Sequence, residues 1–358
     1  MKVLIIQQKR IGDVLTTSIL ANILKKNYPD ASIDYLCYSY CVDVLKENPS
    51  IDKIVVLEEV TRKNYWSLLK FINRIRREEY TIVIDAYSKL ETNLITGFSG
   101  AKYKISYHKG YSNIFYNHNI KRLPNGTNSK NGLAIDNRLA LLEPILKTKN
   151  IKDYKPKIFL SQSEIETAKL LLNKHDINTS QPVFMIGILG SEWYKTYPLE
   201  SMAKLLDFIA KETKASLLFN YIPNQKEDAL KLYNLCNQYT QEKIYFELYA
   251  TSLRGFLGLL SQCDALIGNE GGSVNMAKAL DVPTFSLFSP SVDKETWQIF
   301  EDDKNISIHL KDLKPEIFEE HDEKYIKEHT MKYFDAYPIS KIKEKLSKFL
   351  ITTLKSNN

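Results

Sequence analysis

The stretch KVLIIQQKRIGDVLTTSILANILKK, residues 2–26, decides the fold of the first half of the chain. Its apolar run Val3–Ile6 is typical of a buried strand, and the apolar residues after it recur at helical spacing. This spacing predicts a helix over 13–27. The positions that set it are Leu15, Ile19, Ile23 and Leu24. A strand that leads directly into an amphipathic helix indicates an α/β protein with a parallel sheet.

The turn between this strand and this helix carries Lys9, Arg10 and Asp13. Two cations and a carboxylate supply more chemistry than a plain turn requires, so the turn is a candidate site. Lys9 and Arg10 stand where positive charge would meet an anionic substrate. The alternative is that both are solvated loop cations, and the pattern alone does not separate the two interpretations.

The same alternation of strands and helices continues through the chain in two similar halves, without a sequence repeat. Ligands bind at the carboxyl ends of the strands in such sheets, so two halves predict a cleft between them. The expected domains are 1–155 and 156–335, with a terminal helix over 336–358 and a link near 148–162. We expect a loop-rich break over 101–132 and a strand at KIYFEL, residues 243–248.

Bulk composition restricts the classes of protein. An apolar content of 44% with 26% charged residues describes a globular chain, and the net charge of +6 is only modestly basic. The four cysteines form no CxxC pair and no zinc-like spacing, which predicts reduced thiols. We also expect no bound metal and no cofactor. No signal peptide and no apolar run of membrane-spanning length is present, so we expect a cytoplasmic protein.

A second informative stretch is ALIGNEGGSVNMAKALDVPTFSLFSP, residues 265–290. A strand enters Glu270, Gly271 and Gly272, and a helix is expected from about Ser273. Paired glycines let the backbone approach a ligand, and the unpaired N–H groups of a helix N-terminus favour phosphate. Glu270 would accept hydrogen bonds from sugar hydroxyls. The alternative is a tight turn with Ser273 as a helix N-cap.

A third stretch, GILGSEWYKTYPLESMAKLL at 187–206, carries Lys195 in a loop after a strand that ends at Gly190. A lysine in such a loop would meet the phosphates of a nucleotide as a point charge, or would be a solvated surface lysine. The chain contains no DxD triplet, so a divalent metal that bridges a diphosphate is not indicated.

These stretches, together with NPSIDKIV at 48–55 and KTYPLE at 195–200, resemble glycosyltransferase family 9, the ADP-heptose:lipopolysaccharide heptosyltransferases. The resemblance extends from residue 1 to about 300. It implies a GT-B fold of two facing Rossmann-like domains with a central cleft. The N-terminal domain would take the acceptor and the C-terminal domain the nucleotide sugar. Transfer would be inverting and metal-independent.

The resemblance also implies roles for particular residues. Asp13 matches the family's catalytic carboxylate, which removes the proton from an acceptor hydroxyl. The alternative for Asp13 is a helix-capping or first-turn carboxylate that faces the helix dipole, worth about 1 kcal/mol. Lys195 matches a lysine that contacts the donor's phosphates and would stabilise the departing diphosphate.

The donor-site motif departs from the family pattern, which usually has Asp-Ser/Thr-Gly and then His. Here Glu270 replaces the Asp, Gly271 the hydroxyl residue and Asn275 the His. Glutamate keeps the charge but reaches further, which puts the identity of the sugar in doubt. The expected donor is ADP-heptose. The residues expected to bind it are Gly190, Lys195, Glu270, Gly271, Gly272, Ser273 and Asn275.

The expected acceptor is an anionic lipid-linked saccharide, because family acceptors are phosphorylated and lipid-linked. Basic residues of the first half supply its candidate contacts. They are Lys9, Arg10, Arg62, Lys63 and Lys109. The basic and aromatic segment 101–122 is otherwise an ordinary charged loop, and a nucleic-acid site is not expected, because no RNA- or DNA-binding motif accompanies it.

The last helix, PISKIKEKLSKFLITTL at 338–354, places its apolar residues on one stripe and its lysines largely elsewhere. This pattern predicts packing against the body of the protein, with a membrane-surface role as the alternative.

Two other functions stay open. An oxidoreductase is disfavoured because no G-x-G-x-x-G follows the first strand, and a non-catalytic glycan-binding relative is disfavoured by Asp13 and Lys195 together.

Overall fold

The computed structural model shows an α/β protein of two compact units. It describes residues 1–126, 129, 131–146 and 154–355, and the backbone alone at residues 62, 63 and 323. The units are Met1–Phe159 and Leu160–Asn358, here called the N-terminal and C-terminal domains. The expected link at 148–162 lies partly outside the described residues. No described helix is long and apolar enough to cross a membrane.

The N-terminal domain is built on a sheet of six parallel strands in the order β3-β2-β1-β4-β5-β6. The strands are β1 (Lys2–Ile6), β2 (Ser32–Cys37), β3 (Lys53–Val56), β4 (Ile82–Asp85), β5 (Tyr103–Tyr107) and β6 (His118–Ile120). Its helices are α1 (Ile11–Thr17), α2 (Ile19–Asn27), α3 (Glu59–Lys63), α4 (Tyr65–Arg77), α5 (Leu90–Gly97) and α6 (Leu133–Ala140). This strand order is that of a dinucleotide-binding Rossmann sheet.

The C-terminal domain has five parallel strands in the order β11-β10-β9-β7-β8. The strands are β7 (Val183–Gly187), β8 (Ser216–Asn220), β9 (Ala265–Asn269), β10 (Thr284–Leu287) and β11 (Asn305–Ile308). The longer helices are α7 (Gln162–Lys174), α8 (Leu199–Thr213), α9 (Lys226–Leu235), α11 (Leu253–Leu260), α12 (Gly272–Ala279) and α18 (Ile339–Lys355). The short ones are α10 (Gln238–Gln241), α13 (Lys294–Trp297), α14 (Leu310–Leu313), α15 (Glu316–Glu320), α16 (Glu323–Glu328) and α17 (Thr330–Asp335).

Burial follows the sequence pattern. The central strand β1 is buried along Val3–Ile6, because helices cover both faces of a doubly wound sheet. In the C-terminal domain, α18 buries Ile342, Leu346, Phe349 and Leu350 in the domain core. The apolar stripe of the last helix therefore packs on its own domain and is not available to a membrane.

Two expected elements are wrong. The break over 101–132 contains β5 and β6, which are short strands among polar residues and so lack a strong apolar signal. The segment expected to be a strand at 243–248 makes a single parallel bridge, between Ile244 and Leu217. Its chain then turns at Leu248, whose N–H donates to the carbonyl of Tyr245. Aromatic packing, with Phe246 against Tyr221, accounts for its apolar character.

The helix expected over 13–27 is two helices, α1 and α2, divided at Ser18. The Ser18 hydroxyl donates to the carbonyl of Leu15 at 2.7 Å, and its backbone N–H is shared between the carbonyls of Val14 and Leu15. A serine hydroxyl that bonds back to the preceding turn competes with the helical hydrogen bonds. The division shortens α1, which carries Asp13.

A buried ion pair ties α7 to α11 within the C-terminal domain. Arg254 donates to both carboxylate oxygens of Glu164, with Nε 2.6 Å from Oε1. Glu164 also forms a capping box with Ser161 at the start of α7. The hydrogen bond from Arg254 is the main reason that the pKa of Glu164 falls from 4.5 to about 2.

We expect Glu164→Gln to destabilise the C-terminal domain by roughly 3 kcal/mol at pH 7, because a pKa unit corresponds to about 1.4 kcal/mol. A carboxyl group with a depressed folded pKa adds stability above its unfolded pKa, and this is lost as pH falls toward the folded value. The difference from wild type should therefore be constant above about pH 5 and shrink below it. Urea unfolding followed by fluorescence of Trp193 and Trp297 measures it; a pH-independent difference would contradict the account.

Candidate functional site

Each sheet changes the direction of its strand order at one place, and the main site candidates follow the strands that flank it. In the N-terminal sheet this switch lies between β1 and β4, and Asp13 follows β1. In the C-terminal sheet it lies between β7 and β9, with Lys195 after β7 and Glu270 after β9. At such a switch the two flanking connections leave to opposite faces, which opens a crevice for ligands.

Asp13 lies in the first turn of α1, and the helix N-cap is Arg10, which makes no side-chain capping bond. The Asp13 side chain is 17% exposed, and its Oδ1 accepts a hydrogen bond of 2.7 Å from Nη2 of Arg138. No described residue donates to its Oδ2. One oxygen is therefore fixed by a cation, and the other accepts no hydrogen bond from the described residues.

Arg138 holds this arrangement from α6, 125 residues further along the chain. It is buried, and its Nε donates to the hydroxyl of Thr17 at 2.8 Å while Nη1 donates to the carbonyl of Ala134 at 2.6 Å. The planar guanidinium thus joins α6 to both Asp13 and Thr17 of α1. Arg138 is not among the residues predicted from the sequence, although an arginine among the apolar residues of that helix is a visible signal.

The neighbouring candidates Lys9 and Arg10 occupy the turn between β1 and α1. Lys9 is half-buried and Arg10 is exposed. Arg10 has a φ of 66°, a backbone conformation that few residues other than glycine adopt. Such strained positions cluster at ligand-binding sites. The strained turn brings the chain from the buried end of β1 into α1 and so places Asp13 on the carboxyl edge of the sheet.

Lys109 follows β5 on the same edge of the sheet. Its Nζ donates to the carbonyl of Ser88 at 2.8 Å. Burial lowers the pKa of Lys109, and the nearby cations Arg122 and Lys89 lower it further. Lys109 therefore lies among other cations of the N-terminal domain. Arg62 and Lys63 are in α3, which follows β3, but their side chains lie outside the described residues.

Asp85, at the end of β4, is fully buried and was also missed. It accepts hydrogen bonds from the Tyr116 hydroxyl at 2.7 Å and from the backbone N–H groups of Tyr87 and Ser88. Burial raises its pKa. These bonds fix the loop after β4, next to β1, so Asp85 shapes the edge that carries Asp13.

In the C-terminal domain, the loop from Gly190 to Thr196 folds back on itself and presents Lys195. A Cβ on Gly190 would lie 2.5 Å from the carbonyl oxygen of Lys195, so only glycine fits there. The Gly190 N–H donates to the Thr196 hydroxyl, and Asn269 accepts from the N–H of Tyr197 at 2.6 Å. Close packing of backbone against backbone, rather than a ligand, explains the glycine at 190.

Glu270 links the two donor-site stretches electrostatically. Burial has the largest effect on the pKa of Glu270 and raises it. The positive charges of Lys195 and, to a smaller extent, Lys278 oppose this rise. Neither Lys195 nor Glu270 forms an ion pair with a residue in the described ranges, so both charges remain available to a ligand. The structure therefore brings Lys195 and Glu270 into one electrostatic neighbourhood at the carboxyl ends of β7 and β9.

Helix α12 begins at Gly272, one residue earlier than expected, with Gly271 as its N-cap. Ser273 is therefore not the N-cap, and the alternative of a serine-capped turn is wrong. A Cβ on Gly271 would meet nothing within 4 Å, and one on Gly272 only the tip of Met276 at 4.0 Å. The space above the turn is open. Asn275 is buried within α12.

These arrangements can be compared with known proteins. The sequence model of the family described as glycosyltransferase family 9 (heptosyltransferase) matches residues 68–325, more than half of the chain. The chain belongs to glycosyltransferase family 9. It is therefore an enzyme of the heptosyltransferase type, as the resemblance of its motifs predicted. No group of three or more His, Cys, Asp or Glu side chains in the described part of this glycosyltransferase is placed to hold a metal ion.

Curated relatives of this glycosyltransferase are distant but align over most of its length. Lipopolysaccharide heptosyltransferase 1 of Campylobacter coli is 25% identical over 80% of this chain and 84% of its own. Lipopolysaccharide heptosyltransferase 3 of Escherichia coli K12 is 23% identical over 80% and 82%.

Solved structures agree on the fold. ADP-heptose lps heptosyltransferase II of E. coli has a TM-score of 0.73 and 17% identity over 100% of both chains. A family 9 glycosyltransferase of Veillonella parvula has a TM-score of 0.72 and 17% identity over 94% of this chain and 97% of its own. The two parallel-sheet domains of the chain are thus those of a GT-B glycosyltransferase.

Because Arg138 fixes the carboxylate of Asp13, we expect Arg138→Lys to lower kcat by roughly 10- to 100-fold, the size of effect that a misplaced catalytic group produces. Lysine keeps the charge but cannot bond Asp13 and Thr17 together. The KM for the donor should change little. Steady-state kinetics measures both quantities, with Thr17→Val as a milder variant that removes only the bond to Nε. A raised donor KM with unchanged kcat would show that Arg138 does not act through Asp13.

Proposed function

We propose that this enzyme transfers heptose from ADP-heptose to the core of lipopolysaccharide or a related envelope glycan, with inversion and without a metal ion. The observation that carries the proposal is the carboxylate of Asp13, held on one oxygen by Arg138 at the switch point of the N-terminal sheet. The names of the curated relatives, which are lipopolysaccharide heptosyltransferases, support the choice of sugar and acceptor.

Asp13 acts as the general base. Its free oxygen takes the proton from an acceptor hydroxyl while that hydroxyl oxygen bonds to the anomeric carbon of the donor sugar. The bond from the anomeric carbon to the diphosphate breaks on the opposite side, which inverts the configuration. Arg138 keeps the carboxylate in one orientation, so that little reorganisation is needed when the proton moves.

The C-terminal domain stabilises the departing nucleoside diphosphate. Lys195 supplies a positive charge, and the N-terminus of α12 supplies backbone N–H groups above the open space at Gly272. Together they take the place that a divalent cation has in enzymes with a metal clamp. Glu270 receives hydrogen bonds from sugar hydroxyls, and Gly271, Ser273 and Asn275 complete the donor site, while Gly190 lets the loop that carries Lys195 fold back on itself.

The acceptor binds on the N-terminal domain through its cations. Lys109 lies close to Arg122 and Lys89, and Lys9 and Arg10 flank Asp13. An anionic lipid-linked saccharide fits this distribution of charge. We infer that the enzyme works in the cytoplasm at the inner face of the inner membrane, where such an acceptor is anchored.

A second donor is favoured by one observation. Glu270 and Asn275 replace the residue types that the family usually has in this motif, and Asn275 is buried, so it shapes the site without being free to turn. Another nucleotide sugar is therefore the alternative donor. Competition between ADP-heptose and other nucleotide sugars in the transfer assay decides between them.

Asp13→Asn should lower transfer by roughly 10²- to 10⁴-fold, the usual contribution of a general base, because an amide cannot take the proton. Donor binding should stay near wild type, since asparagine still accepts a hydrogen bond from Arg138, whereas the melting temperature should fall because the guanidinium of Arg138 loses its counter-charge. The assay follows transfer from ADP-heptose to a water-soluble core saccharide, with and without EDTA.

Turnover of this variant within a factor of about three of wild type would remove Asp13 from the mechanism. Activity that EDTA abolishes and magnesium restores would contradict the metal-free mechanism instead. Wild-type protein that binds the nucleotide sugar but transfers nothing would favour a glycan-binding relative.

Lys195→Ala and Gly272→Val should both weaken binding of ADP and of ADP-heptose. The first removes a charged hydrogen bond, worth about 1.5–3 kcal/mol. The second fills the open space above the turn with a branched side chain, and the melting temperature should hardly change because that side chain meets almost no protein atoms. Calorimetry measures both affinities, with Gly190→Ala as a control that disrupts the loop itself. Unchanged affinities would leave Lys195 a surface residue.

A further inference from the structure

A segment of the N-terminal domain holds an unusual concentration of charge. Between Val60 and Arg77 the sequence VTRKNYWSLLKFINRIRR contains six lysines and arginines and neither aspartate nor glutamate. Its formal charge of +6 equals the net charge of the whole chain, so the remaining residues are balanced. The segment comprises most of α3 and all of α4, which follow β3.

Helix α4 has two distinct faces. Phe71, Ile72 and Ile75 are buried in the core of the N-terminal domain. The opposite face carries Trp66, Lys70, Arg74 and Arg77, all exposed and spaced by four, four and three residues, which is one stripe along a helix. None of the three cations in this stripe forms an ion pair within the described ranges. The 13 residues make a rod of about 20 Å.

Apolar side chains project into water at the start of α4 and in the short helix α3 that precedes it. Val60 is 76% exposed, Tyr65 is 67% exposed and Trp66 is 71% exposed. The rings of Tyr65 and Trp66 touch edge to face, with centroids 5.6 Å apart. Grouped apolar exposure of this kind marks an interaction surface. Tryptophan and tyrosine, each with an apolar body and a polar atom, prefer the boundary between water and lipid.

We propose that Val60, Tyr65, Trp66, Lys70, Arg74 and Arg77, here called the α4 surface, dock the enzyme on a bilayer of anionic lipid. The helix would lie flat, with its cations on the headgroups and the aromatic pair at the level of the glycerol backbone. The exposed cations of the α4 surface lie along one face of a single helix, which suits a plane better than a saccharide, because a saccharide requires convergent groups around it. The inference extends the proposed location at the membrane, and its test is separate from sugar transfer.

The C-terminal helix α18 provides a matched comparison. It is also basic and amphipathic, and Lys341 and Lys345 on it are exposed and four residues apart, as Lys70 and Arg74 are on α4. Its apolar stripe is buried, and Lys348 on its outer face is paired with Glu344 at 2.8 Å. If positive charge alone were sufficient for membrane binding, α4 and α18 would contribute to it equally.

Vesicle co-sedimentation of the full chain tests the proposal, with phosphatidylcholine vesicles that contain either no phosphatidylglycerol or roughly one-third of it. Lys70→Gln/Arg74→Gln should lower partition onto the anionic vesicles by about 30-fold, because each cation near such a surface contributes about 1 kcal/mol. The control Lys341→Gln/Lys345→Gln loses the same charge and should stay within about twofold of wild type. Trp66→Ser should lower partition about tenfold, and Trp193→Ser, with similar exposure, should not.

Equal loss of binding in the two double variants would overturn the proposal, since net charge would then explain the binding. So would wild-type protein that does not bind anionic vesicles, even if it transfers sugar. A third outcome would assign the α4 surface to the saccharide: unchanged vesicle binding in Lys70→Gln/Arg74→Gln with a raised KM for a water-soluble acceptor. Under the proposal that KM stays at its wild-type value, and a failure of sugar transfer in wild type leaves the vesicle result unaffected.

Discussion

The change of direction in strand order is the constraint on which the sites of this protein depend. A parallel strand must be followed by a crossover to one face of the sheet, and all crossovers have the same hand. In each sheet the chain first adds strands on one side of its first strand and later adds strands on the other side. The two crossovers next to that first strand therefore leave on opposite faces of the sheet. Such a change of direction lies between β1 and β4 and again between β7 and β9, and it opens a crevice at the carboxyl ends of the strands. Asp13, Lys195 and Glu270 follow strands that flank these two switch points.

The charged side chains at the two switch points have different electrostatic surroundings. Asp13 is paired, because Arg138 compensates its charge where both groups are nearly buried. Breaking such a pair leaves an uncompensated charge, which costs about 3–5 kcal/mol, so the pair also holds α1 against α6. Lys195 and Glu270 influence each other without forming an ion pair. Under the proposed mechanism, the carboxylate that must keep one geometry is fixed by the protein, whereas the charges proposed to bind the donor are left for the ligand to neutralise.

The helices α4 and α18 show why amphipathic patterns alone do not locate a membrane surface. Both bury an apolar stripe against their own domain and turn lysines and arginines to water. The two helices differ in whether aromatic side chains are exposed beside their cations. Tyr65 and Trp66 are exposed at the start of α4, whereas the aromatic residue of α18, Phe349, is buried. Burial of the apolar face is required for folding and therefore says nothing about a partner. Only side chains that the core does not bury can indicate a surface that binds one.

By itself, the sequence determined the class of fold and most of the elements, because buried parallel strands and amphipathic helices have strong periods, as in Val3–Ile6. It also indicated which turns are candidate sites, since cations, carboxylates and paired glycines are visible between a strand and a helix. Tertiary structure decided what sequence spacing does not contain. It paired Asp13 with Arg138 across 125 residues, added β5 and β6 from segments without a clear period, and made Gly190 a packing requirement of the Lys195 backbone. Local patterns reflect the burial of single elements, whereas these features arise when separate elements meet.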